Sequence, residues 1–184
     1  MATPQHHDSA MPYDIPPVDQ EDEVALRHRH WMLRALELAE LAGNAGDVPV
    51  GAVVVGPGDV VLAEAGNRRE QDQDPTAHAE VLALREAARQ LGNWHLNECT
   101  LYVTLEPCPM CAGAIILSRL GLLVYGTADP KSGAVRSVLN LPDAPSSNHR
   151  LAVVTGILAE SCRAQLQQWF QQRRRAHRRS TLSP

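Results

Sequence analysis

Four residues in two short motifs, HAE and PCPMC, are suited to metal-assisted chemistry: His78 and Glu80 in the first, Cys108 and Cys111 in the second. One imidazole and two thiolates are donors that zinc accepts, and three protein ligands leave the fourth tetrahedral position open to water. Because the two cysteines are three residues apart, one turn of helix brings both sulfur atoms to the same side. Glu80 lies two residues after His78, so its carboxylate can face that water as a general base without joining the metal ligands.

A CxxC pair by itself also occurs in sites that are not catalytic metal centres. It could be half of a structural zinc site or a redox pair, and Cys99 or Cys162 could complete a structural site and close it to water. Cys162, however, shares a predicted helix face with Leu166 and large aromatic residues, while Cys99 directly precedes a predicted strand. We therefore expect both thiols to pack in the core. The two motifs together, in this order, favour an open catalytic site with one zinc ion per chain.

Each motif follows a loop and begins a predicted helix, whose free N–H groups and partial positive charge favour thiolates. The apolar spacing and the cap and stop signals predict helices over 24–42, from the Asp74-Pro75-Thr76 cap to 91, from 107 to about 120, and over 160–175. Short apolar runs predict five strands at 50–55, 60–65, 101–104, 122–125 and 151–155. A Gly-Pro-Gly-Asp turn makes the first two strands a hairpin.

The order of these elements predicts the fold class. Strand–helix–strand segments imply parallel pairing, so we expect an α/β fold with three α-β-α layers and a five-stranded mixed sheet. Residues 1–22 are rich in Pro, Asp and Gln and have few large apolar side chains, which predicts a disordered N-terminal tail. The metal-binding domain is expected over 23–175, followed by a basic C-terminal tail at 176–184.

Length and charge limit the class of protein. The chain has 184 residues, which fits one domain, and a formal net charge of −4 at pH 7, which does not indicate nucleic-acid binding by the whole surface. RNA binding would need a local basic patch, and Arg173, Arg174 and Arg175 could supply it; the alternative is a solvated arginine-rich tail. We see no signal peptide and no stretch of about 20 apolar residues, so we expect a cytoplasmic protein without membrane contact.

Five stretches of sequence carry a resemblance to a known family. They are PVGAV at 49–53, AGNR at 65–68, DPTAHAE at 74–80, TLEPCPMCAGA at 104–114 and YGTADPKSG at 125–133. An H-x-E motif followed by P-C-x-x-C is the signature of the zinc deaminases. From Val24 to about Arg175 the chain resembles the bacterial tRNA-specific adenosine deaminases of the TadA type, which belong to the cytidine deaminase-like superfamily.

The resemblance implies an activity, a partner and further site residues. It implies a homodimer that hydrolytically converts adenosine to inosine at the wobble position of a tRNA anticodon loop, with Glu80 carrying a proton to the purine ring. Asn67 matches an asparagine that contacts the nucleoside, the Ala79 N–H matches a base-contacting amide, and Asp129 matches an aspartate near the ribose hydroxyls. The match is weaker in the last helix, where WFQQRRR at 169–175 has glutamine at a position where the family often has arginine.

The sequence leaves two other functions open. One is a deaminase of a free base, nucleoside or nucleotide of the cytidine or guanine type, because the metal centre is shared and the shape of the pocket selects the base. The other is a zinc-stabilised RNA-binding module without catalysis. Glu80 argues against that module, since a structural metal site has no use for a carboxylate beside an open position.

Overall fold

The computed structural model describes residues 19–181, with the side chains of 23–176 and of Arg178. Most of the N-terminal segment expected to be disordered, residues 1–18, and the last residues of the basic tail, 182–184, lie outside the described residues. None of the helices in the described part of the chain is long and apolar enough to cross a membrane.

The five predicted strands form one mixed sheet, as expected. The strands are β1 (Gly51–Val55), β2 (Val61–Gly66), β3 (Thr100–Leu105), β4 (Leu122–Thr127) and β5 (Ala152–Thr155), in the spatial order β2-β1-β3-β4-β5. Strand β1 is antiparallel to both β2 and β3, whereas β3, β4 and β5 are parallel. The carboxyl ends of β3 and β4 therefore meet at one edge of the sheet.

Helices cover both faces of the sheet and confirm the three-layer prediction. They are α1 (Asp19–Asn44), α2 (Arg69–Asp72), α3 (Ala79–Leu91), α4 (Pro109–Leu117) and α5 (Ala159–Thr181), with a short 3₁₀ turn at Pro57–Asp59. Helices α3 and α4 pack on one face through residues such as Ala83 and Ile115, and α1 and α5 pack on the other through Met32 and Cys162. Cys99 and Cys162 are buried, which confirms that they pack in the core.

Close packing of α1 against β1 depends on Gly51. A Cβ atom on this residue would lie 2.0 Å from the carbonyl oxygen of Ala35, which is backbone and cannot move aside. The absence of a side chain lets the helix approach the strand at van der Waals distance. This contact fixes β1, which pairs with β2, the strand that precedes the loop carrying Asn67.

Three helix boundaries differ from the predictions by more than three residues. Helix α1 begins at Asp19 and not at 24, and its first four residues, DQED, are of the type favoured at a helix N-terminus. Helix α5 extends to Thr181, well into the expected C-terminal tail, because Gln, Arg and Ala sustain a helix and no breaker precedes Pro184. Helix α3 begins at Ala79 and not at the Asp74 cap, because the Asp74 carboxylate accepts from the N–H and hydroxyl of Thr76, inside the preceding loop.

Candidate active site

The structure brings the three predicted metal ligands together. His78 and Cys108 are the N-cap residues of α3 and α4, and Cys111 lies in the first turn of α4. The Nδ1 atom of His78 is 3.7 Å from the Sγ of Cys108 and 3.5 Å from the Sγ of Cys111. The donor atoms of these three residues all lie within 4.8 Å of one another, and no other such group of metal donors occurs within the described residues.

The electrostatics of this group suit a bound cation. Hydrogen bonds from the Cys111 thiol and from His78 lower the pKa of Cys108 to about 4, whereas the neighbouring Cys108 sulfur and burial raise the pKa of Cys111. The Cys108 sulfur also raises the pKa of His78. Two sulfur atoms so close can both be thiolates only when a positive charge lies between them, and sulfur with imidazole nitrogen is the donor chemistry of zinc.

Glu80 lies beside the metal donors and outside their group. Its side chain is 4 % exposed, and Oε2 has no hydrogen-bond partner among the described residues. Burial raises the pKa of its carboxyl group. A buried carboxyl oxygen without a partner is costly in a purely structural role, so its unfilled hydrogen-bonding capacity indicates a ligand in the adjoining space.

That space is a cavity of about 680 Å³, a size that admits a nucleoside. His78, Glu80 and Cys108 line one part of it, and Asn67, Asp129 and Phe170 line others. Phe170 is on α5 and is 42 % exposed, so its ring is available to stack against a flat ligand. The cavity therefore combines a metal-binding group, a buried carboxyl group and an aromatic side chain.

Asn67 is buried and positions the start of α3. Its Oδ1 accepts a hydrogen bond from the Ala79 N–H at 2.9 Å, and its own N–H donates to the carbonyl of Val50 at 3.0 Å. With the oxygen facing Ala79, the side-chain NH₂ is the part of Asn67 left to meet a ligand in the cavity. The Ala79 N–H, expected from the resemblance to contact the base, already has this partner, so a base could reach it only by sharing it with Asn67.

Asp129 lines the cavity on the loop that follows β4. Its carboxylate accepts from the Lys131 N–H at 2.9 Å and from the Ser132 hydroxyl at 2.7 Å, which holds the loop in a tight turn. Lys131 and Ser132 also line the cavity. One residue of this neighbourhood had no predicted role, although it lies within the TLEPC stretch: Glu106.

Glu106 is a buried carboxylate at the end of β3, two residues before Cys108. It accepts from the N–H groups of Asp129 (3.1 Å), Val135 (3.1 Å), Arg136 (2.8 Å) and Ser137 (2.9 Å), and from the Ser137 hydroxyl. Burial alone would raise the pKa of Glu106, but these hydrogen bonds outweigh it and hold the pKa below its ordinary value. Sequence alone gave no sign of this role, because the donors are distant backbone groups.

The three arginines predicted to bind RNA have different surroundings. The Arg173 guanidinium lies 4.9 Å from the centre of the Trp169 ring and donates to the Gly46 carbonyl at 2.8 Å. Trp169 in turn donates to the Gly43 carbonyl at 3.1 Å, so both residues attach α5 to the C-terminal end of α1. Arg174 and Arg175 are exposed and lie together on the outer side of α5.

The architecture and the site define a class of protein, a deaminase of the cytidine deaminase-like fold, and the comparisons agree. The family model of the MafB19-like deaminases matches residues 26–174. The tRNA-specific adenosine deaminase of Haemophilus influenzae is 48 % identical over 83 % of this chain and 85 % of its own length, and that of Bacillus subtilis is 46 % identical over 79 % and 89 %.

A solved structure gives the same result. It comes from work on A-to-I editing by tRNA:A34 deaminases at the wobble position of transfer RNA. Its sequence is 42 % identical to this chain, the match covers 74 % of this chain and 98 % of the solved chain, and the TM-score is 0.72. The chain therefore belongs to the deaminase family and, within it, to the tRNA-specific adenosine deaminases.

Proposed function

We propose that this protein is a zinc-dependent hydrolase that converts adenosine to inosine at the wobble position of a tRNA anticodon. The observation that carries the proposal is the buried carboxyl of Glu80, with one oxygen unpartnered among the described residues, beside the His78, Cys108 and Cys111 donors in a cavity that admits a nucleoside. The relatives named above supply the substrate class. Because tRNA is the substrate, we expect the protein in the cytoplasm, which cell fractionation would check.

The residues of the site divide the chemistry between them. His78, Cys108 and Cys111 would hold zinc, which when bound supplies a water activated for attack on carbon. Glu80 takes one proton from the attacking water and delivers it to the purine ring nitrogen. It then takes the second proton from the same oxygen, which becomes the inosine carbonyl, and passes it to the amine, so that the C–N bond breaks and ammonia leaves. The Asn67 NH₂ group and Phe170 orient the base, and the Asp129 carboxylate accepts from the ribose hydroxyls.

The substrate can be tested directly with the purified protein. An anticodon stem-loop with adenosine at the wobble position should be converted to its inosine form, as measured by mass spectrometry of the digested RNA. The same stem-loop with its only loop adenosine moved away from that position is the matched control and should remain unchanged. Release of ammonia from free guanine, cytidine or adenosine, with no inosine in the stem-loop, would instead make the protein a deaminase of small molecules.

We propose that the protein is a homodimer joined through the outer face of α4. This helix has no charged residue, yet Met110 and Leu117 are 37 % and 67 % exposed. The loop after β4 adds the exposed Val138 and Leu139, and a hydrogen bond from its Ala134 N–H to the Pro107 carbonyl (2.9 Å) connects it to the start of α4. An apolar helix with one uncovered face fits an isologous contact with a second copy.

Replacing Leu117 with glutamate should therefore change the assembly and not the metal site. We expect the mass measured by light scattering to fall from that of two chains to that of one, because a charge would be buried without a partner. Leu41→Glu is a matched control, since Leu41 is 62 % exposed on α1, and it should leave the dimer intact. A Leu117→Glu protein that remains dimeric would place the interface elsewhere.

We also propose that Arg174 and Arg175 contact RNA phosphates and that Arg173 chiefly attaches α5 to α1. Single Arg174→Ala and Arg175→Ala variants should each lower the slope of log affinity against log salt by roughly 0.7 to 0.9 for a lost phosphate contact. Arg89→Ala, at the far end of α3, is the control and should keep the slope. Unchanged slopes in both tail variants would make this arginine run a solvated surface.

A further inference from the structure

The loop that carries Asp129 is wrapped around a single buried carboxylate. Glu106 is 2 % exposed, and its Oε1 accepts from the consecutive N–H groups of Val135, Arg136 and Ser137. Consecutive N–H groups that converge on one point form an anion-binding nest. This stretch of loop therefore keeps its shape only around a negative charge, which the chain itself supplies.

The other oxygen of Glu106 reaches the beginning of the loop. Oε2 accepts from the Asp129 N–H at 3.1 Å and from the Ser137 hydroxyl, so one carboxylate joins both ends of the segment 129–137. The same segment includes Gly133, whose added Cβ would lie 2.5 Å from the Glu106 carboxylate. The loop thus lies directly against the carboxylate along its length.

Glu106 also links the loop to the metal-binding group. It is the last residue before Pro107 and Cys108, and the Pro107 carbonyl accepts from the Ala134 N–H at 2.9 Å. The turn that begins α4 therefore connects two parts of the site. Its backbone carries Cys108, and the Glu106 side chain directly before it binds the substrate-facing loop. A shift of the loop relative to the metal donors would require breaking these hydrogen bonds.

We infer that Glu106 is a positioning residue that holds Asp129 and Lys131 at the mouth of the cavity, at a fixed distance from the metal donors, so that the nucleotide carrying the target base is bound in register. The inference rests on the proposed function. Asp129 and Lys131 line the cavity together. Neither belongs to the group of metal donors, so their placement affects how substrate is held and not the proton transfer by Glu80.

The test replaces Glu106 with glutamine, which keeps the shape and removes the charge. In glutamine one of the two carboxylate oxygens is replaced by an NH₂ group, which is a donor. That NH₂ group would face the N–H or O–H donors of the loop, so the loop amides lose an acceptor. We expect kcat/KM for the anticodon stem-loop to fall about 10²-fold, because displacing a substrate-binding group by about 1 Å has an effect of that order. Most of the change should be in KM. Zinc content should stay at the wild-type level.

Further variants separate this role from general loss of stability. Gly133→Ala pushes the loop away from an intact Glu106 and should raise KM in the same way, so it decides the question if Glu106→Gln does not fold. Glu64→Gln is the control. Glu64 lies on the edge strand β2, far in sequence from the loop, and pairs with Arg34 of α1, so this replacement should leave KM unchanged. Glu106→Asp keeps the charge on a shorter side chain and should restore part of the lost affinity.

Hydrogen exchange provides a readout that needs no substrate. In Glu106→Gln the amides of Asp129 and of 135–137 should exchange faster, while those of β3 and α3 remain protected. If these amides stay protected and KM is unchanged in folded, zinc-loaded Glu106→Gln and Gly133→Ala, the inference is wrong. If the wild-type protein does not deaminate the stem-loop, the proposed function fails, and the exchange measurement still decides whether Glu106 holds the loop.

Discussion

Glu80→Gln is expected to lower turnover of an anticodon stem-loop by about 10²- to 10⁴-fold, and by the upper end of that range or more if one carboxyl group handles both proton transfers. Glutamine has nearly the same shape but cannot accept a proton in this role. Because Glu80 lies outside the His78, Cys108 and Cys111 group, the variant should bind as much zinc as the wild-type protein. Turnover under single-turnover conditions and metal content by mass spectrometry are the two measurements.

Two controls make this result specific. Glu86→Gln makes the same replacement six residues further along α3, where the carboxylate pairs with Arg89 in solvent, and should leave turnover unchanged. His78→Ala removes a metal donor and should lose zinc together with activity. Substantial turnover in zinc-loaded Glu80→Gln would move the proton-transfer role to another group.

The fold was predictable because its strands and helices have strong local signals. The valines of β1 and the apolar run of β4 are buried as continuous stretches, and the capping and glycine signals at Gly92 end α3 where expected. The metal donors were predictable for a related reason, since residue type and short spacing determine the chemistry of Cys108 and Cys111. These features depend on residues that are close in sequence.

The features that were missed depend on contacts between distant parts of the chain. Helix α2 is only one turn long, and it is held by the buried Asp47 carboxylate, which accepts from the Glu70 and Gln71 N–H groups. The role of Glu106 depends on backbone groups 23 to 31 residues away. The attachment of Arg173 to Gly46 spans 127 residues. No periodicity or cap signal reports such pairs, so they required the structure.

Asn67→Asp is expected to separate the two roles that the structure gives this side chain. Aspartate keeps an oxygen to accept from the Ala79 N–H, and a negative charge at the start of α3 is favourable, so folding and zinc binding should persist. The NH₂ donor that faces the cavity is replaced by a second oxygen. We expect kcat/KM for the stem-loop to fall about 10²-fold, which corresponds to about 2.7 kcal/mol, in the range of a lost hydrogen bond that leaves a buried group unpaired.

Asn67→Ala removes both roles and should differ from Asn67→Asp in stability. Loss of the acceptor for Ala79 N–H should lower the free energy of unfolding by about 1 kcal/mol, as for other lost helix caps, while kcat/KM falls at least as far as in the aspartate variant. Asn93→Asp, in the exposed turn after α3, is the matched control and should change neither quantity. Wild-type kcat/KM in Asn67→Asp would show that the NH₂ group does not contact the base, and would leave Asn67 with the single role of fixing the first turn of the helix that carries Glu80.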